Sequence, residues 1–223
     1  MAYNHSIFMK YISICFTVCI MLFVGGVSAA QAACRYQPVN VRVKQITRPV
    51  TLDRSFSAQA LTATTGSPVG AGSIVLGHGG GTMQISGGLE SYVKGNARDG
   101  YCLKVKSVDI EIEILPKIKL VNHLRPNTCE YNAVYQHEQF HVAVLGQTMQ
   151  VAAQQMPSIV NAHLQQLHSN LSNGGGDPQY MNARLQAEFS RTLSTINNQM
   201  SAHMNGEQNK IDNPTEYARV QNS

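Results

Sequence analysis

His137-Glu138-Gln139-Phe140-His141 constrains this chain more than any other stretch, because it reads H-E-x-x-H inside a segment with helical signals on both sides. An α-helix turns by roughly 100° per residue, so positions four apart share one face, about 6 Å apart along the axis, and can reach one ion. The glutamate projects beside the pair, placed to take a proton from a water that the ion activates without itself being a ligand. Asn127-Thr128-Cys129-Glu130 is a capping-box variant that predicts a helix start ten residues before His137. From there to Gln155 the chain holds no Pro and one Gly, and Val134, Phe140, Val144, Leu145 and Met149 recur at the spacing of a buried stripe. The plain alternative is a surface helix with two incidental histidines.

The first 32 residues read as a signal peptide. Lys10 precedes an apolar run from Tyr11 to Val24, too short for a membrane span of about 20 residues, and Ala30-Gln31-Ala32 offers a small-x-small cleavage site. An uncleaved anchor, or lipidation at Cys34, are the other readings of this end. Export, to a bacterial periplasm or beyond, is the expectation, with no stable membrane insertion after cleavage. Residues 33–223 then form a single domain. Removing Lys10 leaves a net charge of +3, and with no Trp and no basic run this argues against a dedicated nucleic-acid binder. Cys34, Cys102 and Cys129 remain, an odd number in an oxidising compartment, and Cys102–Cys129 is the expected pair, with Cys34 left over.

Residues 33–122 predict a β-rich half. Val39 to Ile46 alternates, and Val108-Asp109-Ile110-Glu111-Ile112-Glu113-Ile114 alternates more cleanly, with acids on the opposite face. Pro116 opens a further alternating stretch through Ile118 and Leu120 that suits an edge strand, where an extended substrate could pair. Gly77-His78-Gly79-Gly80-Gly81 resembles an H-G-G-G oxyanion loop, but no G-x-S-x-G nucleophile elbow accompanies it, and no Lys-Ser/Thr follows for a phosphate loop. A mobile hairpin or loop over a cleft is the expectation there. Residues 127–223 predict a helical half: the H-E-x-x-H helix, a second helix from Pro157 to about Leu171, a third from about Gln179 to Met204, and a short element at Asn213-Pro214-Thr215-Glu216. The fold class expected is α+β, an antiparallel sheet first and helices after.

Cys102, the alternating segment to Ile114, Thr128-Cys129-Glu130-Tyr131-Asn132-Ala133 and the run His137 to Val142 resemble a group of exported bacterial H-E-x-x-H proteins described as domains of unknown function or zinc-dependent proteases. Ile211-Asp212-Asn213-Pro214-Thr215-Glu216-Tyr217 is similar to a second signature of that group. The resemblance covers roughly residues 100–145 and 207–220, and implies a zincin-like fold and zinc site but no particular substrate. Metzincins carry Gly and a third His where this chain has Val144 and Gln147, and the Asn-Glu pair of thermolysin-like enzymes is absent. The third ligand thus lies among Asp212, Glu216, Glu188, His163 and His168, and the resemblance favours Asp212.

The expectation is an exported zinc-dependent peptidase acting on a peptide or protein substrate. Zn²⁺ would be held by His137, His141 and Asp212, Glu138 would serve as general base, and Tyr217 would stabilise the oxyanion. The rivals are a catalytically silent zinc-holding envelope or interaction protein, and a helical interaction module in which the motif is accidental.

Overall fold

The computed structural model describes residues 34–65, 74–96, 98, 100–172 and 177–212. Residues 1–32, where a signal peptide is expected, and Glu216 and Tyr217 lie outside that range. The elements run β1 (Asn40–Thr47), β2 (Thr51–Phe56), α1 (Ala58–Thr65), β3 (Gly77–Asn96), β4 (Gly100–Val121), α2 (Cys129–Ser172) and α3 (Pro178–Ile211). This is the α+β order expected, sheet first and helices after.

β4 organises the sheet. Its isoleucines at 110, 112 and 114 and Val108 are all but fully buried, while Asp109, Glu111 and Glu113 face outward. Those acids pair across the sheet with Arg42, Lys44 and Arg48. Such exposed pairs contribute little stability each, but they favour one register between β1 and β4. Near the start of β4 the buried parity switches from odd Leu103 to even Val108. An extra residue, Lys106, unpaired between Val105↔Ser91 and Ser107↔Glu90, makes the bulge that causes the switch.

The sheet is mixed rather than wholly antiparallel. β3 and β4 form a long antiparallel hairpin, whereas β1 and β2 both run parallel to β4 on its other side. Pro116 therefore sits mid-way along a central strand, not at an edge. It is tolerated because β1 ends opposite Ile114 and β2 starts opposite Lys117, so the missing N–H faces the gap between them. Among the described residues β1, β2 and β3 each pair with β4 alone, so each keeps one edge outside the sheet's hydrogen bonding.

α2 runs 44 residues without interruption, about 66 Å, through Pro157. A proline inside a helix costs about 3 kcal/mol, but the stripe Leu145, Met149, Ala152, Met156, Val160, Leu164, Leu167 and Leu171 passes through it unbroken and buried. Each such side chain contributes roughly 1.5–3 kcal/mol by leaving water, so burial outweighs the defect. The Asn161 amide donates to the Pro157 carbonyl and to that of Val39, and Tyr36 and Val39 donate back to Asn161 Oδ1, fastening the chain ahead of β1 to α2. Two helices, not three, thus cover the sheet. Thr128 caps α2, its hydroxyl accepting the Tyr131 N–H at 3.2 Å, one residue later than the Asn127 start expected. Phe140 is 55% exposed, and the inward stripe is Val134, His137, Glu138, His141 and Leu145 instead.

The disulfide is Cys34–Cys102, not Cys102–Cys129. Extending the parallel register back from Asn40↔Ser107 brings Cys34 level with Tyr101, one residue from Cys102. Cys129 follows the far end of β4, about 60 Å of extended strand away, and is an exposed free thiol. The bridge spans 68 residues, a closure worth about 4 kcal/mol in the chain-entropy model. No helix of the described residues is long and apolar enough to cross a membrane.

Candidate metal centre

The H-E-x-x-H turn of α2 lies between two cores. Val134 belongs to a small cluster under α1 with Leu61, Ile118 and Leu120, and Leu145 begins the main core shared by the sheet, α2 and α3. His137, Glu138 and His141 are left only 4–5% exposed, and their donor atoms lie within 4.8 Å of one another, a buried group that could hold a metal ion.

The end of α3 brings a fourth side chain. Asp212 Oδ1 stands 3.3 Å from His137 Nε2 and 3.1 Å from His141 Nε2, and the two ring nitrogens are 3.3 Å apart. A tetrahedral zinc with bonds of 2.0–2.1 Å needs ligand separations of about 3.3–3.4 Å. The triangle therefore has the size of one tetrahedral face, with two imidazoles and a carboxylate at its corners. Burial raises the Asp212 pKa, but hydrogen bonds with His137 and His141 outweigh it and hold the carboxyl well below the usual range. It is an anion at any pH where the histidines could bind metal.

Gln208, one turn before Asp212, sets His141. Its amide donates to the His141 carbonyl at 2.9 Å, which orients its oxygen to accept from His141 Nδ1–H. In the neutral ring the proton then sits on Nδ1 and the Nε2 lone pair faces the triangle. Burial lowers the His141 pKa, but Asp212, Glu138 and Gln208 together raise it. An ion must displace that proton, so metal affinity falls as the medium becomes acidic.

The glycine run is one arm of the β3–β4 hairpin, paired residue by residue with β4 from Gly77↔Leu120 to Gly81↔Pro116, and of the two expected forms it is the hairpin rather than the loop. It crosses α2 in direct contact. A Cβ on Gly79 would overlap the Glu138 backbone, and one on Gly77 would overlap the Glu138 carboxylate and Val134. This closeness lets the Gly79 N–H donate to Glu138 Oε2. Burial pushes the Glu138 pKa up to about 7, against the lowering effect of both histidines and of that N–H.

We expect Gly79→Ala to cost at least the roughly 1–3 kcal/mol typical of overpacking, since rigid backbone leaves the methyl no space. Gly88→Ala, with nothing within 4 Å of its added Cβ, should change stability by no more than about 0.5 kcal/mol. Thermal or denaturant unfolding of the two variants checks this. Equal stabilities would show that β3 does not lie against α2 as described.

A cleft of about 420 Å³ opens on the triangle, lined by His78, Gly79, Gly80 and Gly81 from β3, His141, and Gln208, Asn209 and Asp212 from α3. His78 thus shares the cleft, its pKa lowered by burial, Lys119 and His141 and raised by Asp212. The other described candidates for the third ligand lie elsewhere. Glu188 and His163 line a separate pocket, where Glu188 pairs with Arg191, and His168 sits beside the disulfide. α2 continues straight through Pro157, which carries His163 and His168 away from His141 along the same helix. Gln208 and the Gly79 N–H escaped the sequence reading, since each acquires its partner only through tertiary packing.

Comparison with family models, with curated proteins and with solved structures finds no match to this chain.

Proposed function

We propose that this protein is an exported zinc-dependent peptidase of zincin-like design, related to the H-E-x-x-H group that its motifs resemble. The observation that carries the reading is the triangle of His137 Nε2, His141 Nε2 and Asp212 Oδ1. Two imidazoles and one carboxylate at the spacing of a tetrahedral face suit zinc, and three protein ligands are the usual complement of a catalytic rather than a structural site. The Cys34–Cys102 bridge agrees with an oxidising, periplasmic or extracellular location.

Zinc in this site would supply Lewis acidity that polarises a substrate carbonyl and makes water more acidic. Glu138, its carboxylate held by the Gly79 N–H, takes a proton as the water oxygen bonds to the carbonyl carbon. It returns that proton to the amide nitrogen as the C–N bond breaks. Past Gly79, whose N–H is taken by Glu138, β3 borders the same cleft at Gly80–Gly81, so an extended peptide can pair along that edge with its scissile bond near Glu138. This gives β3 the docking role that the sequence reading assigned to the Pro116 strand.

The test combines metal analysis with digestion of a mixed peptide library. The mature chain should carry about one zinc, and digestion should stop with a chelator and resume with added zinc. Asp212→Asn should weaken zinc binding by at least the 10–100-fold seen when even a supporting residue is lost, while Glu188→Gln and His168→Ala leave it unchanged. Unaltered affinity in Asp212→Asn would exclude the triangle. Tight zinc with no cleavage of any peptide would favour a zinc-holding interaction protein.

A further inference from the structure

At the opposite end of β4 from the H-E-x-x-H turn, the Sγ atoms of Cys34 and Cys102 and a ring nitrogen of His168 all lie within 4.8 Å of one another. His168 is only 8% exposed, and its buried Nε2 has no hydrogen-bond partner. A buried imidazole nitrogen without a partner costs free energy that packing alone does not explain. The ring is held in place by the edge of Tyr36 at a centroid distance of 5.7 Å, and Tyr36 is itself anchored on Asn161. Burial and the neighbouring Lys104 lower the His168 pKa, so the ring is neutral, the form that ligates metal.

We propose that Cys34, Cys102 and His168 form a second, redox-controlled site that takes a soft divalent cation such as zinc once the disulfide is reduced. Two thiolates and an imidazole are a recognised partial zinc donor set, with the fourth position left to solvent. A dithiol reductant gives two electrons and two protons to the S–S bond, yielding two thiols and its own disulfide. Metal binding then displaces the two thiol protons. Zinc–thiolate bonds of about 2.3 Å place two sulfurs about 3.8 Å apart, so the cysteines must separate from bonding distance. Cys34 lies in a turn outside the sheet, six residues before β1, where its backbone can shift without breaking strand pairing. Metal and disulfide exclude one another, so this end of the fold is stapled by a covalent bond under oxidising conditions and by a cation under reducing ones.

The experiment uses the full chain carrying Cys129→Ser, which removes the exposed thiol, with Co²⁺ as probe. Reduced protein should show a thiolate-to-cobalt charge-transfer band, which the histidine–carboxylate centre has no thiolate to produce. Oxidised protein should show none. Cys34→Ser should abolish the band, and His168→Ala should weaken cobalt binding there by more than 10-fold with the fold preserved by circular dichroism. In His137→Ala the band should persist, which separates this site from the H-E-x-x-H centre. A reduced chain that shows no band, that unfolds, or that binds cobalt equally well with His168→Ala would overturn the proposal.

Discussion

His137→Ala and His141→Ala should each leave the purified protein without stoichiometric zinc. Either change removes one corner of a triangle whose edges are 3.1–3.3 Å and leaves two donors where a catalytic site needs three. Losing a residue that merely orients a ligand typically costs 10–100-fold in affinity, and losing the ligand itself should cost more. The two variants should nevertheless differ in a measurable way. His141 also holds Gln208, through its Nδ1–H and its backbone carbonyl, so its replacement loosens the end of α3 that delivers Asp212. His141→Ala should therefore lower metal-free stability more than His137→Ala does. Metal analysis after exhaustive dialysis, with thermal melts of the metal-free proteins, reads both effects. Full zinc occupancy in both variants would remove the metal centre.

What the sequence makes legible here is what is local. The i, i+4 histidines, the Thr128 cap region and the alternation of Val108 to Ile114 are each written within one turn or one strand, and each appears in the fold where its period puts it. Pro157 misleads because propensity is also local. The period through Met149, Ala152, Met156, Val160 and Leu164 was present in the sequence and outweighs the proline once those side chains are buried. Gly77 to Gly81 carries no hydrophobic alternation, so nothing marks it as strand. Its glycines are there for close approach to Glu138, a demand made by tertiary packing.

The disulfide partner depends on strand direction. Once β1 runs parallel to β4, Cys34 falls beside Cys102, but no short-range signal fixes that direction. Asp212 lies 71 residues from His141 in sequence. No helical period can connect them, and only the similarity of the Ile211–Tyr217 segment to a second family signature drew attention to it. Gln208 had no such signal and became visible through its hydrogen bonds alone.

Glu138→Gln should keep zinc bound and lose turnover by 10²–10⁴-fold, the usual worth of a positioned acid–base group. The amide is nearly isosteric, and its oxygen can still accept the Gly79 N–H, so β3 and α2 should stay in contact. What it cannot do is take a proton from water at neutral pH. Without metal, burial outweighs both histidines and the Gly79 N–H and pushes the Glu138 pKa up to about 7. A nearby divalent cation favours the charged form, so in the zinc-loaded protein the carboxylate should titrate below that value. Because the base must be ionised to work, kcat/KM for the wild type should fall as pH drops through that lowered pKa. Glu138→Gln should show its residual rate without this limb. The acid limb separates a base from a merely structural carboxylate, since a structural role would change the rate at every pH alike. Wild-type turnover in Glu138→Gln, or an acid limb that persists unchanged in it, would assign the proton transfer to another group, and His78 in the same cleft would be the next to replace.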